Sequence, residues 1–135
     1  MSHSIFIPVY VLFMWAMWIM ARLAYMKIKA HKAKEIRFSQ FKLVTDMPER
    51  IQLTLNNLTN LYQMPVFFFV LAVFIFAKGM ETPFYLGLSW TYVFLRIIHS
   101  MIHITTNNVN LRASTFFLSI IVLVWMYTAF LFDII

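Results

Sequence analysis

Four long apolar stretches, separated by polar connections, account for most of the chain. They cover about residues 4–27, 55–78, 83–106 and 111–133. A hydrocarbon core of about 30 Å requires about 20 residues of helix, so each stretch is long enough to span a bilayer. We therefore predict a single all-α membrane domain over residues 1–135, built as an up-down bundle of four transmembrane helices.

The second stretch carries polar side chains that must enter the membrane. Its purely apolar run, Met64–Ala77, has 14 residues, which make only about 21 Å of helix. The helix must therefore extend back through a series of amides that recur at helical spacing on one face. These are Gln52, Asn56, Asn60 and Gln63. Pro65 lies inside this span, where neighbouring groups can satisfy the carbonyl that a proline leaves free.

The third stretch carries a polar stripe with spacings of 3, 4, 3 and 4 residues, which places all five members on one helical face. The stripe consists of Ser89, Tyr92, Arg96, His99 and His103. Ionisable side chains at membrane depth usually face a bundle interior or a wet cavity. We predict that this stripe and the amide face turn inward to share one water-accessible crevice. In that crevice Arg96 would be a fork-shaped donor for an anionic ligand.

Other interpretations of the same residues remain open. Arg96 could pair with the amides of the second helix, or reach the headgroups. The i, i+4 spacing of His99 and His103 could suit a metal or haem iron, but the same helix offers no acidic ligand, so we predict no metal site. Interhelical hydrogen bonds are the alternative role for the histidines and amides.

Arg112, at the start of the fourth stretch, could set the topology or hold a thiol cofactor as its thiolate.

The composition narrows the class of protein. The hydrophobic fraction is 62%, well above the level of about half in soluble domains. The chain has no cysteine, so it supplies no disulfide and no thiol nucleophile. Eight of the eleven Lys and Arg residues lie between Arg22 and Arg50, which favours contact with anionic lipid headgroups rather than nucleic acid. The positive-inside rule then places the polar loop 28–50 in the cytoplasm and both termini on the other side.

Three motifs resemble one family over roughly Glu49 to Ser119. They are Asn57-Leu-Thr-Asn60-Leu-Tyr-Gln63-Met-Pro65-Val-Phe67, then Arg96-Ile-Ile-His99-Ser-Met-Ile-His103, and finally Arg112. Together they are similar to the membrane-associated proteins in eicosanoid and glutathione metabolism, the MAPEG family. Within that family the chain is most similar to the short bacterial members, which implies a bacterial inner membrane.

The resemblance implies a glutathione-dependent transferase or peroxidase that acts on lipophilic electrophiles. It implies a homotrimer, with active sites between neighbouring protomers near the cytoplasmic face and hydrophobic substrates that arrive through the membrane. Arg112 matches the arginine that activates the glutathione thiol. The resemblance and the polar stripes together assign the cofactor contacts to Asn56, Asn60, Gln63, Arg96, His99 and His103.

The chain departs from the family pattern at several of these positions. Gln63 replaces a glutamate, Asn56 replaces an arginine, and His103 stands where characterised members usually carry tyrosine. The family's first-helix arginine would be matched by Lys27 or Arg22. Each loss of charge leaves a neutral hydrogen bond of roughly half the strength. These departures favour the alternative of a non-catalytic bundle that binds a lipid or another amphipathic anion in the same cavity. A third alternative is a purely structural subunit.

Overall fold

A computed structural model describes residues 4–44 and 46–135, except for the side chain of Leu43, and that part of the chain contains helices and no strand. The helices are α1 (Phe6–Lys32), α2 (Gln40–Leu43), α3 (Glu49–Gln63), α4 (Pro65–Ala77), α5 (Pro83–Ile104) and α6 (Val109–Ile134). α5 and α6, which a short connection joins, pack along each other. α5 packs against α1, α3 and α6, and it therefore lies in the middle of the bundle.

Polar contacts tie neighbouring segments together at one end of the bundle. There the backbone N–H of Ile5 donates to the Glu81 carboxylate at 2.7 Å, and the hydroxyl of Tyr85 donates to Asp133 at 2.5 Å. The opposite end carries the connections 33–48 and 105–108, and we call it the loop end. Two interhelical contacts therefore close the bundle opposite the loop end.

The predicted second span is two helices rather than one. α3 ends at Gln63 and α4 begins at Pro65, with Met64 alone between them. Pro65 has no N–H to continue the hydrogen-bond ladder, which explains the break. The two helices nevertheless continue in nearly one direction, and together they form a 29-residue apolar span, Glu49–Ala77.

The helix bounds differ from the predicted ones at the loop end. α1 continues to Lys32 rather than ending at residue 27, because basic side chains in its last turn interact favourably with the helix dipole. The next long helix already begins at Glu49, an acidic residue in its first turn, rather than at residue 55. The predicted polar loop 28–50 is therefore shorter, and it contains the short helix α2.

Three helical segments are long and apolar enough to cross a membrane: Phe6–Lys32, Glu49–Ala77 and Val109–Ile134. α5 does not reach the same apolar content because its polar stripe occupies one face. All five side chains of that stripe are buried inside the bundle. The apolar α1, α3–α4 and α6 therefore surround a helix whose polar face is turned away from lipid.

A hydrogen-bonded junction on Ser100 joins three helices of the bundle. The indole Nε1 of Trp15 on α1 donates to the Ser100 hydroxyl oxygen on α5 at 2.8 Å. The Nδ2 group of Asn57 on α3 donates to the same oxygen, also at 2.8 Å. One small hydroxyl thus fixes the register of α1, α3 and α5.

We predict that Ser100→Ala lowers the free energy of unfolding in detergent by about 1 kcal/mol, since two interhelical hydrogen bonds of about 0.6 kcal/mol each are lost. Ser114→Ala is the matched control, because the Ser114 hydroxyl donates only to the Asn110 carbonyl of its own helix. Equal stability of the two variants in a detergent-denaturation titration would show that the junction does not hold the helices together.

Candidate functional site

A cavity of about 230 Å³ lies near the loop end, between α3, α5 and α6. It is lined by polar side chains from each of these helices and by apolar side chains from α6. The lining residues are Asn60, His99, Val109, Arg112, Ala113, Phe116 and Phe117. Three residues predicted from the sequence to form the site, Asn60, His99 and Arg112, therefore meet in one place.

Arg96 lies behind this cavity and is completely buried. Its Nη2 group donates to the backbone carbonyl oxygen of Asn60 at 2.9 Å. That carbonyl belongs to the last turn of α3, where helix carbonyls lack intrahelical partners and carry the negative end of the dipole. The guanidinium carbon also lies 5.6 Å from the centroid of the Phe116 ring, which forms part of the cavity wall. Arg96 therefore stabilises the helix end that the break at Met64 creates.

The remaining donors of Arg96 have no partner within residues 4–44 and 46–135. Its Nε and Nη1 atoms are buried without a hydrogen bond, and the ion pair found in this part of the chain, Arg50 with Glu35, lies elsewhere. A buried cation without a counter-charge is costly. The Nε and Nη1 groups of Arg96 can therefore donate to a further acceptor.

His99 holds the backbone of Arg112. Its Nδ1 atom lies 2.9 Å from the Arg112 carbonyl oxygen, and because a carbonyl only accepts, Nδ1 carries the proton and donates. The Thr115 hydroxyl donates to the same carbonyl at 3.1 Å. The other ring nitrogen of His99, Nε2, is buried and has no partner in the described part of the protein. Only Nε2 is therefore left to contact a ligand.

The side chain of Arg112 is held by the loop that precedes α6. Its Nη1 group donates to the Asn107 side-chain oxygen at 2.6 Å, and Asn107 has a left-handed backbone with φ of 48°. Asn108 then caps α6, since its side-chain oxygen accepts from the Asn110 and Leu111 N–H groups at 3.1 Å each. The positive end of the α6 dipole and the Arg112 guanidinium therefore both place positive charge at the start of α6, where they attract an anion.

The sequence pattern did not reveal the roles of Asn107 and Asn108, which lie in the polar connection before the fourth stretch. An asparagine directly before an apolar, helical run is a known sign of a helix N-cap. That sign was available at Asn108. Nothing in the pattern indicated that the Asn107 side chain would reach back to a guanidinium.

The prediction that the whole amide face turns inward is wrong. Asn56 and Gln63 are exposed, and Asn56 accepts a hydrogen bond from Gln52 at 3.1 Å. Asn57, on the neighbouring face, is the buried amide. The inward face of α3 is mostly apolar, and its burial excludes water from the bundle, so this face determines how the helix rotates. It is formed by Ile51, Thr54, Asn57, Leu58 and Leu61.

His103 lies on a different cavity from Arg112. Its ring centroid is 5.2 Å from that of His99, but it lines a space of about 170 Å³ together with Arg22, Arg50 and Thr54. His99 and His103 therefore line two different cavities, and Asn56 and Gln63 line neither of them. No cluster of residues able to hold a metal ion occurs in the described part of the chain.

Comparison with known families gives one match. The model of the MAPEG family matches residues 5–132, which is nearly the whole chain. No curated protein and no solved structure matches it.

We predict that His99→Leu speeds hydrogen exchange at the first turn of α6 about fivefold, the effect of losing one hydrogen bond of about 1 kcal/mol. His99→Asn should keep the slow exchange, because the amide nitrogen of asparagine can occupy the place of Nδ1. Hydrogen–deuterium exchange of a peptide that covers residues 105–116 measures both. Identical exchange in wild type and His99→Leu would show that His99 does not hold Arg112.

Proposed function

The chain belongs to the MAPEG family, and on that premise we propose that it is a glutathione-dependent membrane transferase or peroxidase acting on lipophilic electrophiles. One observation carries the proposal. Arg96 is fully buried with two guanidinium nitrogens unpartnered among the described residues, directly behind a cavity that also holds Arg112. Two guanidinium groups close to one small cavity, that of Arg112 in its wall and that of Arg96 behind it, favour a ligand that carries more than one negative group.

The residues present fit glutathione in distinct roles. Glutathione, when bound, supplies the thiol that this cysteine-free chain lacks. Arg112, at the positive end of α6, would hold that thiol as its thiolate and so raise the concentration of the nucleophile at neutral pH. Arg96 would meet a carboxylate with its unpartnered nitrogens. The amides of Asn60 and Gln63 can donate to and accept from the peptide groups.

We further propose that the site is completed by a second copy of the chain in a homotrimer. The cavity of about 230 Å³ is smaller than the range of about 300–1,000 Å³ usual for small-molecule sites. Asn56 and Gln63 are exposed on the protomer surface beside it. A neighbouring protomer packed there would enlarge and enclose the cavity and bring these amides into it. His103 would reach the ligand only from the other side of α5.

The proposed orientation in the membrane follows from charge. α5 would be the fourth transmembrane helix, with its buried polar face shielded by the three apolar spans. The loop end, with its excess of Lys and Arg, would face the cytoplasm, and both termini would face the other side. The bacterial inner membrane is the proposed location, and hydrophobic substrates would reach the cavity through the bilayer.

A second candidate function is a non-catalytic bundle that binds a lipid or another amphipathic anion in the same cavity. The hydrogen bond from Gln52 to Asn56 favours this second candidate, because it occupies the side-chain oxygen of Asn56, the residue that replaces the family's arginine. The neutral Gln63 favours it as well, since it offers no carboxylate to an ammonium group. In this case Arg96 and Arg112 would still bind an anion, but no thiolate would form.

We predict that Arg112→Ala lowers the fraction of bound glutathione present as thiolate at least about tenfold, because a charge-assisted contact of about 1.5–3 kcal/mol is lost. The ultraviolet absorbance of the thiolate, measured against pH with purified protein, reports this fraction. Arg37→Ala, the loss of an exposed arginine in the loop, is the control and should have no effect. Failure of the folded wild type to bind glutathione at millimolar concentration would contradict the proposal and leave the second candidate.

Gln63→Glu should tighten glutathione binding about fivefold, because it exchanges a neutral hydrogen bond for a charge-assisted one that is about 1 kcal/mol stronger. Gln52→Glu makes the same chemical change eleven residues earlier on α3 and is the matched control. Isothermal titration of both variants measures the difference. Unchanged or weaker binding in Gln63→Glu would place this residue outside the ligand site.

A further inference from the structure

A second, larger cleft lies at the loop end on the other side of the bundle. It has a volume of about 730 Å³, opens to the surface, and runs between α1, the start of α3 and the connection between them. Its chemically distinctive lining residues are Trp18, Arg22, Tyr25, Lys29, Glu35 and Arg50. It shares no lining residue with the cavity that contains Arg112.

The cleft carries a surplus of positive charge. Its three cations, Arg22, Lys29 and Arg50, face one carboxylate, that of Glu35, and this carboxylate pairs with Arg50. Arg22 uses its Nη1 group to donate to the Thr54 hydroxyl at 3.0 Å. Lys29 makes no ion pair within the described ranges. Two positive charges are thus left without a counter-charge inside the cleft.

The position of the cleft along α1 matches the membrane boundary. Arg22 follows the first residue of α1 by 16 positions, about 24 Å of helix, and Lys29 lies about 10 Å further along. In a hydrocarbon core of about 30 Å, Arg22 lies near the boundary and Lys29 at headgroup level. Tyr25, 65% exposed, lies between these two levels, where aromatic side chains are common in membrane proteins. Trp18, 50% exposed, lies about 6 Å deeper than Arg22.

A smaller polar space continues the cleft inward. The cavity of about 170 Å³ near His103 shares both Arg22 and Arg50 with the cleft, so the two adjoin. His103 is only 3% exposed, and its Nδ1 atom is buried with no partner in the described part of the chain. The Thr54 hydroxyl lies in the same space. The Thr54 hydroxyl already donates to the Arg50 carbonyl at 2.9 Å. The cationic mouth therefore leads to one group that is available for a further hydrogen bond, the Nδ1 atom of His103.

We propose that this cleft is a binding site for the phosphate of an anionic phospholipid from the leaflet at the loop end. Arg22 is the inner donor to the phosphate, and Lys29 neutralises it from the headgroup side. The acyl chains run along the apolar surface of α1 beside Ala21 and Trp18. That apolar wall, which a free phosphate would not use, favours a lipid as the source of the phosphate. Basic pockets between membrane helices are known to recognise such headgroups.

Native mass spectrometry of the delipidated protein tests the proposal. We expect dioleoyl phosphatidylglycerol to bind about tenfold more tightly than zwitterionic dioleoyl phosphatidylcholine, and Arg22→Gln to remove most of this preference. Arg37→Gln deletes the same charge from an exposed loop position outside the cleft, and should keep it. Arg22→Lys keeps the charge and should retain about half of the preference or more, which separates a binding effect from misfolding.

Three results would overturn the proposal. The first is an equal loss of phosphatidylglycerol binding in Arg22→Gln and Arg37→Gln, which would indicate a diffuse effect of charge. The second is displacement of the lipid by an equal concentration of inorganic phosphate, which would indicate a site for a free anion. The third is displacement by millimolar glutathione, which would make the cleft part of the glutathione site. The preference for phosphatidylglycerol over phosphatidylcholine can be measured without glutathione, so it does not depend on whether glutathione binds at the cavity that contains Arg112.

Discussion

The guanidinium of Arg96 against the backbone carbonyl of Asn60 is the contact on which the rest of the site depends. Pro65 interrupts the helix that crosses the bundle, and the last carbonyls of α3 are left without helical partners in an apolar environment. A buried arginine can supply a donor there from a neighbouring helix. Because the donor is a cation with three nitrogens, one carbonyl cannot satisfy it. The same residue that donates to the helix end therefore retains N–H groups for a further acceptor.

The cost of exposing ionisable side chains to lipid explains why α5 occupies the centre of the bundle. Its polar stripe would be costly against lipid, so α1, α3, α4 and α6 surround it and present their apolar faces outward. Ser100 anchors α1 and α3 to it, and His99 anchors the start of α6. The packing that hides the stripe also brings Arg112 and Asn60 to one cavity. The buried polar groups that hold the helices together thus lie beside the candidate site, and the apolar surface of the bundle faces outward.

The sequence indicated much of this architecture but not all of it. The regular spacing from Ser89 to His103 predicts a single buried face, and the structure has it. The family indicated by the motifs around Asn60, Arg96 and Arg112 is confirmed.

The orientation of α3 was not predictable from its amides, because polar residues flank its inward face on both sides and the apolar residues between them decide the rotation. Asn107 could not be assigned because its role depends on a left-handed turn and a contact with Arg112. The division of His99 and His103 between two cavities depends on which helices pack on each side of α5, which spacing along one helix does not reveal.

The most direct test of this account is a density map of the oligomer purified with glutathione. The account predicts continuous density for an anionic ligand that reaches the Nε and Nη1 atoms of Arg96 and lies beside Arg112, with Asn56 or Gln63 at its edge. A map in which Arg96 is paired entirely by protein groups, and the space between α3, α5 and α6 is closed, would contradict it.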